Sequence, residues 1–189
     1  MLTGVGGQGI QLTAKTLAMA AVDEGRQAML LGHYAGSMRG GQTDASIVVS
    51  DGRLRTLPIL PATWSAFVMH PDYWPDTREK VRQGGVVVAN SSLVDADLGR
   101  PDCRIFMIPA SDMATKMGAP MSAAYVLLGA YCTITGMAGV EALVRAMKQI
   151  VPPYRTQHIA TNEAAIRAGA EVAPVLAAPA WVEHAGVAP

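Results

Sequence analysis

The sequence predicts an α/β fold, a Rossmann-like three-layer domain with a mostly parallel sheet. Three observations carry that expectation. Short apolar runs alternate with segments of helical periodicity along the chain. The runs Ala28–Leu31 and Val86–Ala89 are apolar at every position, as strands buried on both faces are. The glycine cluster Gly4-Val5-Gly6-Gly7-Gln8-Gly9 sits between a short strand and a helix, the place of a tight strand-to-helix turn.

The elements follow in order. Ile10, Leu12, Ala14, Leu17, Ala18, Ala21 and Val22 share one helical face, and Gly25 is a natural stop. Ala28–Leu31 and Ala45–Ser50 read as strands, with Asp51-Gly52 as a turn. Residues 57–62 are punctuated by proline. Trp64–Met69 reads as a strand that His70-Pro71-Asp72 breaks, and Tyr73–Gln83 as a helix. Gly84-Gly85 leads into the strand Val86–Ala89, closed by Asn90-Ser91-Ser92, and Arg104–Ile108 is a further strand. Ser111–Met117 is expected to be a helix capped by Ser111, followed by helices over Ala123–Gly136 and Val140–Ile150. From Ala170 the chain is rich in Ala, Pro and Val without a period. It is expected to be a tail, extended along a partner or disordered.

Composition narrows the function. Lys+Arg and Asp+Glu are both 15, so the basic excess of a nucleic-acid binder is missing. Charged residues make up only 16%, which fits a surface partly covered by another chain, and fits an ordinary Ala-rich enzyme as well. No apolar run is long enough for a membrane span, and the N-terminus lacks signal-peptide order, so a cytoplasmic location is expected. The two cysteines, Cys103 and Cys132, are too few for the four thiolates of an iron–sulfur cluster. His70, His158 and His184 have no ligand spacing, and no metal site is expected.

In a parallel sheet, functional residues gather beyond the carboxyl ends of the strands. Three such ends stand out: Gly4–Gly9, Gly32–Gly41 and Asn90–Ser92. Gly4, Gly6 and Gly9 match a dinucleotide-binding loop, whose bare backbone N–H groups favour an anion. A ribose-binding acid should then end the second strand, but Leu31-Gly32-His33 stands there, with Asp23 and Glu24 ahead of it. The glycines serve equally well for close helix–strand packing. A stand-alone Rossmann-type nucleotide-binding protein or NAD(P)-dependent enzyme is therefore the alternative reading.

Gly4-Val5-Gly6-Gly7-Gln8-Gly9 is more specific than the bare pattern. It resembles the opening of the gamma subunit, or gamma domain, of the pyruvate/2-oxoacid:ferredoxin oxidoreductases, and of the small subunit of indolepyruvate oxidoreductase. Tyr34-Ala35-Gly36-Ser37-Met38-Arg39-Gly40-Gly41 is similar to a second motif of that family. Gly84–Ser92 is similar to a third, and Met117-Gly118-Ala119-Pro120 through Ala130 to a fourth. Ala35 and Ala124 depart from the family's usual residues, and only Met1-Leu2-Thr3 precede the glycine loop, so either the first strand is clipped or the start is unusual.

The resemblance implies a gamma-type domain over residues 1–169 and an Ala/Pro-rich tail over 170–189. It implies a share in the oxidative decarboxylation of a 2-oxoacid to acyl-CoA, CO₂ and a reduced acceptor. It places no cofactor in this chain alone. Thiamine diphosphate, Mg, Fe–S clusters and coenzyme A belong to the assembled complex. The expected partners are alpha and beta thiamine-binding subunits, an Fe–S subunit, and ferredoxin or another acceptor reached through the complex. No catalytic residue is expected here. Cofactor- or partner-facing positions are Gly4, Gly6, Gly7, Gln8, Gly9, Tyr34, Ser37, Arg39, Gly40, Gly41, Asn90 and Ser91. Arg39 is the foremost, as a guanidinium fork for a phosphate or carboxylate, with an ion pair across a subunit interface as the other reading. For Asn90 and Ser91 the other reading is capping of the next turn.

Overall fold

A computed structural model describes residues 1–34, 40–55 and 57–181, with Tyr34 described by its backbone. Six strands form one sheet: β1 (Leu2–Val5), β2 (Gln27–Tyr34), β3 (Gln42–Ser50), β4 (Thr63–Val68), β5 (Val81–Asn90) and β6 (Arg104–Ile108). Their order is β2-β3-β1-β4-β5-β6. β1, β4, β5 and β6 pair in parallel, while β3 is antiparallel to both β1 and β2. Five strands therefore point one way and β3 alone opposes them.

Alternation along the central strands builds a core on each face. Phe67, Met69, Val86 and Val88 face the larger core. It is shared by α1 (Ile10–Asp23), α3 (Ala110–Lys116), α4 (Ala123–Thr135), α5 (Val140–Ile150) and α6 (Ile159–Val172). Ala66, Val68, Val87 and Ala89 face the smaller core, closed by Trp74 of α2 (Trp74–Arg78) and by Val94 and Leu98. Trp74 Nε1 donates to Leu98 O at 2.9 Å, tying this cover together. The result is the three-layer α/β arrangement that the sequence predicts.

α4 is buried nearly all round and carries no charged residue, because the sheet lies on one side and α6 on the other. α1 ends as expected at Gly25, whose φ of 85° lets its N–H reach Val22 O at 2.9 Å.

Three expectations are corrected. The helix expected over 73–83 lasts only for Trp74–Arg78, because Val81 is already paired with Thr63 of β4. The register then shifts from Thr63↔Val81 to Ser65↔Val86, so residues 82–84 bulge outward, with Gly84 at φ 72°. The cap of α3 is not Ser111: Pro109 is the N-cap residue, and Ser111 lies in the first turn. The segment from Ala170, expected as a tail extended along a partner or disordered, packs on its own chain as far as it is described. α6 runs through residue 169 to Val172, and the segment that follows lies back on α4 of the same chain. There the N–H groups of Leu176, Ala178 and Ala180 donate to Thr133 O, Ile134 O and Thr135 O at 2.7–3.0 Å. They satisfy carbonyls that a helix end otherwise leaves without partners. Residues 182–189 lie outside the described residues. Among the described residues no helix is long and apolar enough to cross a membrane.

Candidate functional site at the glycine-loop end of the sheet

β1 leaves the sheet at Val5 and turns into α1 through four residues. Gln8 N–H donates to Val5 O at 3.0 Å to close the turn, and Gln8 Oε1 accepts the Val5 N–H at 2.9 Å. Gly4 makes room for this, because a Cβ there would meet Gln8 Oε1 and Ile10 Cδ1. Gly7 and Gly9 hold φ of 107° and 81°, conformations that side chains rarely adopt. Gly9 caps α1 without a side chain, and Thr13 N–H, bonded to Gly9 O at 2.9 Å, opens the helical ladder. The first-turn N–H groups before it have no partner within the helix and carry the positive end of its dipole.

The second glycine segment lies directly against the first. Gly6 N–H donates to Gly41 O at 2.8 Å, and Gly40 N–H donates to Gly6 O at 3.3 Å. Tyr73 Oη donates to Gly40 O at 3.4 Å from the neighbouring turn. The Tyr34 backbone pairs opposite Thr43, at the same end of the sheet. Ser37 and Arg39 lie outside the described residues.

The third expected position sits differently. Asn90 is fully buried, and both ends of its amide are engaged. Nδ2 donates to Ser111 Oγ at 2.8 Å and to Met69 O at 3.4 Å, while Oδ1 accepts the Ser111 N–H at 3.2 Å. Ser92 Oγ accepts the next N–H of α3, from Asp112, at 3.0 Å. The Asn90–Ser92 turn thus caps α3 from outside, which a sequence reading limited to neighbouring residues does not find. Ser91 is exposed, with its N–H on Ile108 O.

Beside the glycine loop opens a cavity of about 310 Å³. Gly7, Gln8 and Gly9 form one wall, and Met121, Arg155 and His158 stand around it. Its floor contains Thr13, Tyr125 and Asn162, all at least nine-tenths buried. Ser122 Oγ donates to Asn162 Oδ1 at 2.8 Å. The Asn162 amide nitrogen and the Thr13 hydroxyl have no hydrogen-bond partner among the described residues. Burial pushes the Tyr125 phenol up, opposed by a 3.5 Å contact with Thr16 Oγ1, so it stays neutral. An arginine, a histidine, a helix N-terminus and spare polar groups therefore converge on one space. That combination suits an anion such as a phosphate or carboxylate. Arg155 and His158 escape sequence reasoning because they join the glycine loop only through the fold, from a turn between α5 and α6.

The geometry also weighs on the dinucleotide alternative. In that fold the strand carrying the ribose-binding acid lies directly beside the first strand. Here β3 stands between β1 and β2, and β2 ends at His33-Tyr34.

Comparison with known proteins follows the same line. The profile of the pyruvate ferredoxin/flavodoxin oxidoreductase family matches residues 1–172. The 2-oxoglutarate synthase subunit KorC of Methanocaldococcus jannaschii is 28% identical over 154 residues, covering 80% of this chain and 82% of that protein. The crystal structure of a keto/oxoacid ferredoxin oxidoreductase gamma subunit from Geobacter sulfurreducens superposes with a TM-score of 0.75 at 25% identity. It covers 90% of this chain and 94% of that one. A 2-oxoglutarate:ferredoxin oxidoreductase from Magnetococcus marinus, solved with 2-oxoglutarate, coenzyme A and succinyl-CoA bound, has the same fold within a longer chain. Its TM-score is 0.76 at 16% identity, covering 92% of this chain and 31% of that one. The chain belongs to the pyruvate ferredoxin/flavodoxin oxidoreductase family, as a gamma-type subunit of a 2-oxoacid:ferredoxin oxidoreductase.

Proposed function

We propose that this subunit works in a cytoplasmic complex with alpha and beta subunits that hold thiamine diphosphate and Mg, and with an Fe–S subunit. The assembled enzyme converts a 2-oxoacid and coenzyme A to acyl-CoA and CO₂, releasing one proton and two electrons that pass to ferredoxin or another acceptor. Thiamine diphosphate supplies the carbanion chemistry there, and the protein positions and shields the reacting groups. With two cysteines, this chain leaves the clusters to its partners.

In this reading the chain supplies no acid, base or nucleophile. Its contribution is the glycine-loop end of the sheet, offered to coenzyme A and to the thiamine-binding subunits. One observation supports this most: the N-terminus of α1 opens onto the same cavity as Arg155, His158 and the uncommitted Asn162 amide nitrogen. The phosphate groups of coenzyme A are ligands of the right charge for it. Gly40 and Gly41 let a ligand or partner backbone come close to the loop.

The test is steady-state kinetics of the assembled enzyme carrying Arg155→Ala or His158→Ala. The expected result is a KM for coenzyme A raised about tenfold by Arg155→Ala, equivalent to about 1.4 kcal/mol, with kcat little changed. A KM for coenzyme A that neither variant moves removes the site from this role.

A further inference from the structure

The two edges of the sheet differ in how they are guarded. β6, at one edge, is five residues long and begins at Arg104, whose Nη1 donates to Ala177 O at 3.5 Å in the segment after α6. β2, at the other edge, is eight residues long and contains no Pro, Lys, Arg, Asp or Glu. It pairs with β3 in one unbroken register, from Gln27↔Ser50 to Tyr34↔Thr43. Proteins blunt a free edge with charge, proline, a bulge or a short strand. β2 has none of these, and among the described residues no strand pairs with its outer edge.

The ladder fixes which groups that edge presents. Met1 O accepts the Phe67 N–H at 2.8 Å, and Thr3 O accepts the Met69 N–H at 3.0 Å. Odd residues of β1 therefore bond to β4 and even ones to β3. Through Leu2↔Ala45, odd residues of β3 face β1 and even ones face β2. Through Leu31↔Ser46, odd residues of β2 bond to β3, and the N–H and C=O groups of Ala28, Leu30 and Gly32 point outward. Met29 and Leu30, on opposite faces, keep 37% and 36% of their surface exposed. Beside Leu30 a groove of about 330 Å³ runs between β2 and α1, lined by Ala18, Met19 and Val22. Lys15 and Asp23 are the first and last α1 residues along it. Lys15 is exposed and has no ion-pair partner among the described residues. Arg145 engages Asp23 through Oδ2 alone.

We infer that β2 is a self-complementary edge, and that its occupant is β2 of a second copy of this chain, antiparallel about a two-fold axis at Leu30. Leu30 then lies opposite Leu30 of the second copy, and Ala28 opposite Gly32 of the second copy. Both residues of each pair turn their backbone groups outward, so the ladder closes between the copies. On the other face Met29 falls opposite Leu31 of the second copy, an apolar pair repeated on each side of the axis. An axis at Leu31 would set Met29 against His33 instead. α1 runs back along β2, with Gln11 against Gly32, so the same axis brings Lys15 of each copy to the Asp23 end of the other. Opposite charges meet there. With Lys+Arg and Asp+Glu both 15, no net charge holds two copies apart. Apolar pairs on one face and charge pairs on the other, related by one axis, select a second copy over an unrelated strand. The pairing joins the two sheets into one and uses none of the residues around the glycine-loop cavity.

The test is cross-linking in the assembled enzyme and in the full chain alone. Met29→Cys and Leu31→Cys chains, both carrying Cys103→Ser, are expressed separately and together and then oxidised. In the proposed register Met29 and Leu31 of the second copy form a non-hydrogen-bonded pair, with Cα atoms about 4.5 Å apart, within disulfide reach. Two copies of Met29 lie on a diagonal, roughly 7–8 Å apart, and are out of reach. Co-expression is expected to give a disulfide between two copies of this chain, at least tenfold more abundant than with either variant alone. Amide exchange at Ala28 and Gly32 is expected to be about tenfold faster in Leu30→Lys than in the unsubstituted chain, while Met29 and Leu31, bonded to β3, stay protected and show that the fold is intact. Co-expression that yields no more cross-link than either variant alone overturns the proposal. So does a disulfide to another subunit of the enzyme, which would assign the edge to that chain, or equally fast exchange at Ala28 and Gly32 with and without the substitution.

Discussion

Gly129 of α4 and Gly169 of α6 face each other across a close helix–helix contact. A Cβ on Gly129 would overlap the Ile166 carbonyl, and a Cβ on Gly169 would overlap the Val126 carbonyl. Each helix thus lays its glycine on the backbone of the other, and neither carbonyl can move without disturbing its own helix. Gly129→Ala is expected to destabilise the chain by about 2 kcal/mol, because overpacking outweighs the gain in helix propensity. Gly169→Ala is expected to behave alike. The double variant should lose less than the sum, since one substitution already separates the helices. Urea unfolding midpoints of the three variants check this.

Asn90 links three elements through one amide: the end of β4 through Met69, its own strand β5, and the first turn of α3. Asn90→Ala leaves the Ser111 N–H and hydroxyl without that partner. A loss of about 2 kcal/mol is expected, with faster amide exchange confined to the first turn of α3. Exchange spread evenly over the chain would show that the bond has no local capping role.

Trp181 fastens the segment that crosses the end of α4. Its indole N–H donates to Gly136 O at 2.8 Å, and the Arg26 guanidinium lies 4.3 Å from its ring centroid. Trp181→Ala is expected to cost about 1–2 kcal/mol and to raise exchange at Leu176, Ala178 and Ala180. Denaturation and exchange measured on the same variant separate this from an effect on the distant glycine loop.

The two thiols should differ in reactivity. Burial pushes the Cys132 thiol far up and leaves it 1% exposed, while Cys103 is raised less and stands half-buried at the start of β6. A thiol reagent at pH 8 is expected to label Cys103 in the folded chain and Cys132 only after unfolding. Labelling of both at one rate in the native state would contradict the packing around α4.

Much of this architecture is legible in the sequence where one element carries its own signal. α1, α5 and β6 have clear periodicity or a clean apolar run, and they fall within a residue of expectation. α6 hides because its buried face is Asn162, Ala165, Ile166 and Gly169. The helical spacing is present, but small and polar residues carry it, since the Gly129 contact admits nothing larger. The chain around Val81 fails for a different reason: pairing with Thr63 overrides local helical preference. At the candidate site the two glycine segments meet as expected, because both lie at the carboxyl end of the sheet. Arg155 and His158 come from more than a hundred residues away in sequence, and nothing local marks them as neighbours of Gly7 and Gly9.

The measurement that tests the central claim most directly is isolation of the native protein from its source, with every co-purifying chain identified and thiamine diphosphate and iron assayed on the same fraction. The account predicts larger chains in stoichiometric amount, with thiamine diphosphate and iron bound, and 2-oxoacid oxidation dependent on coenzyme A. A chain that elutes alone, free of both cofactors and without that activity, would contradict it.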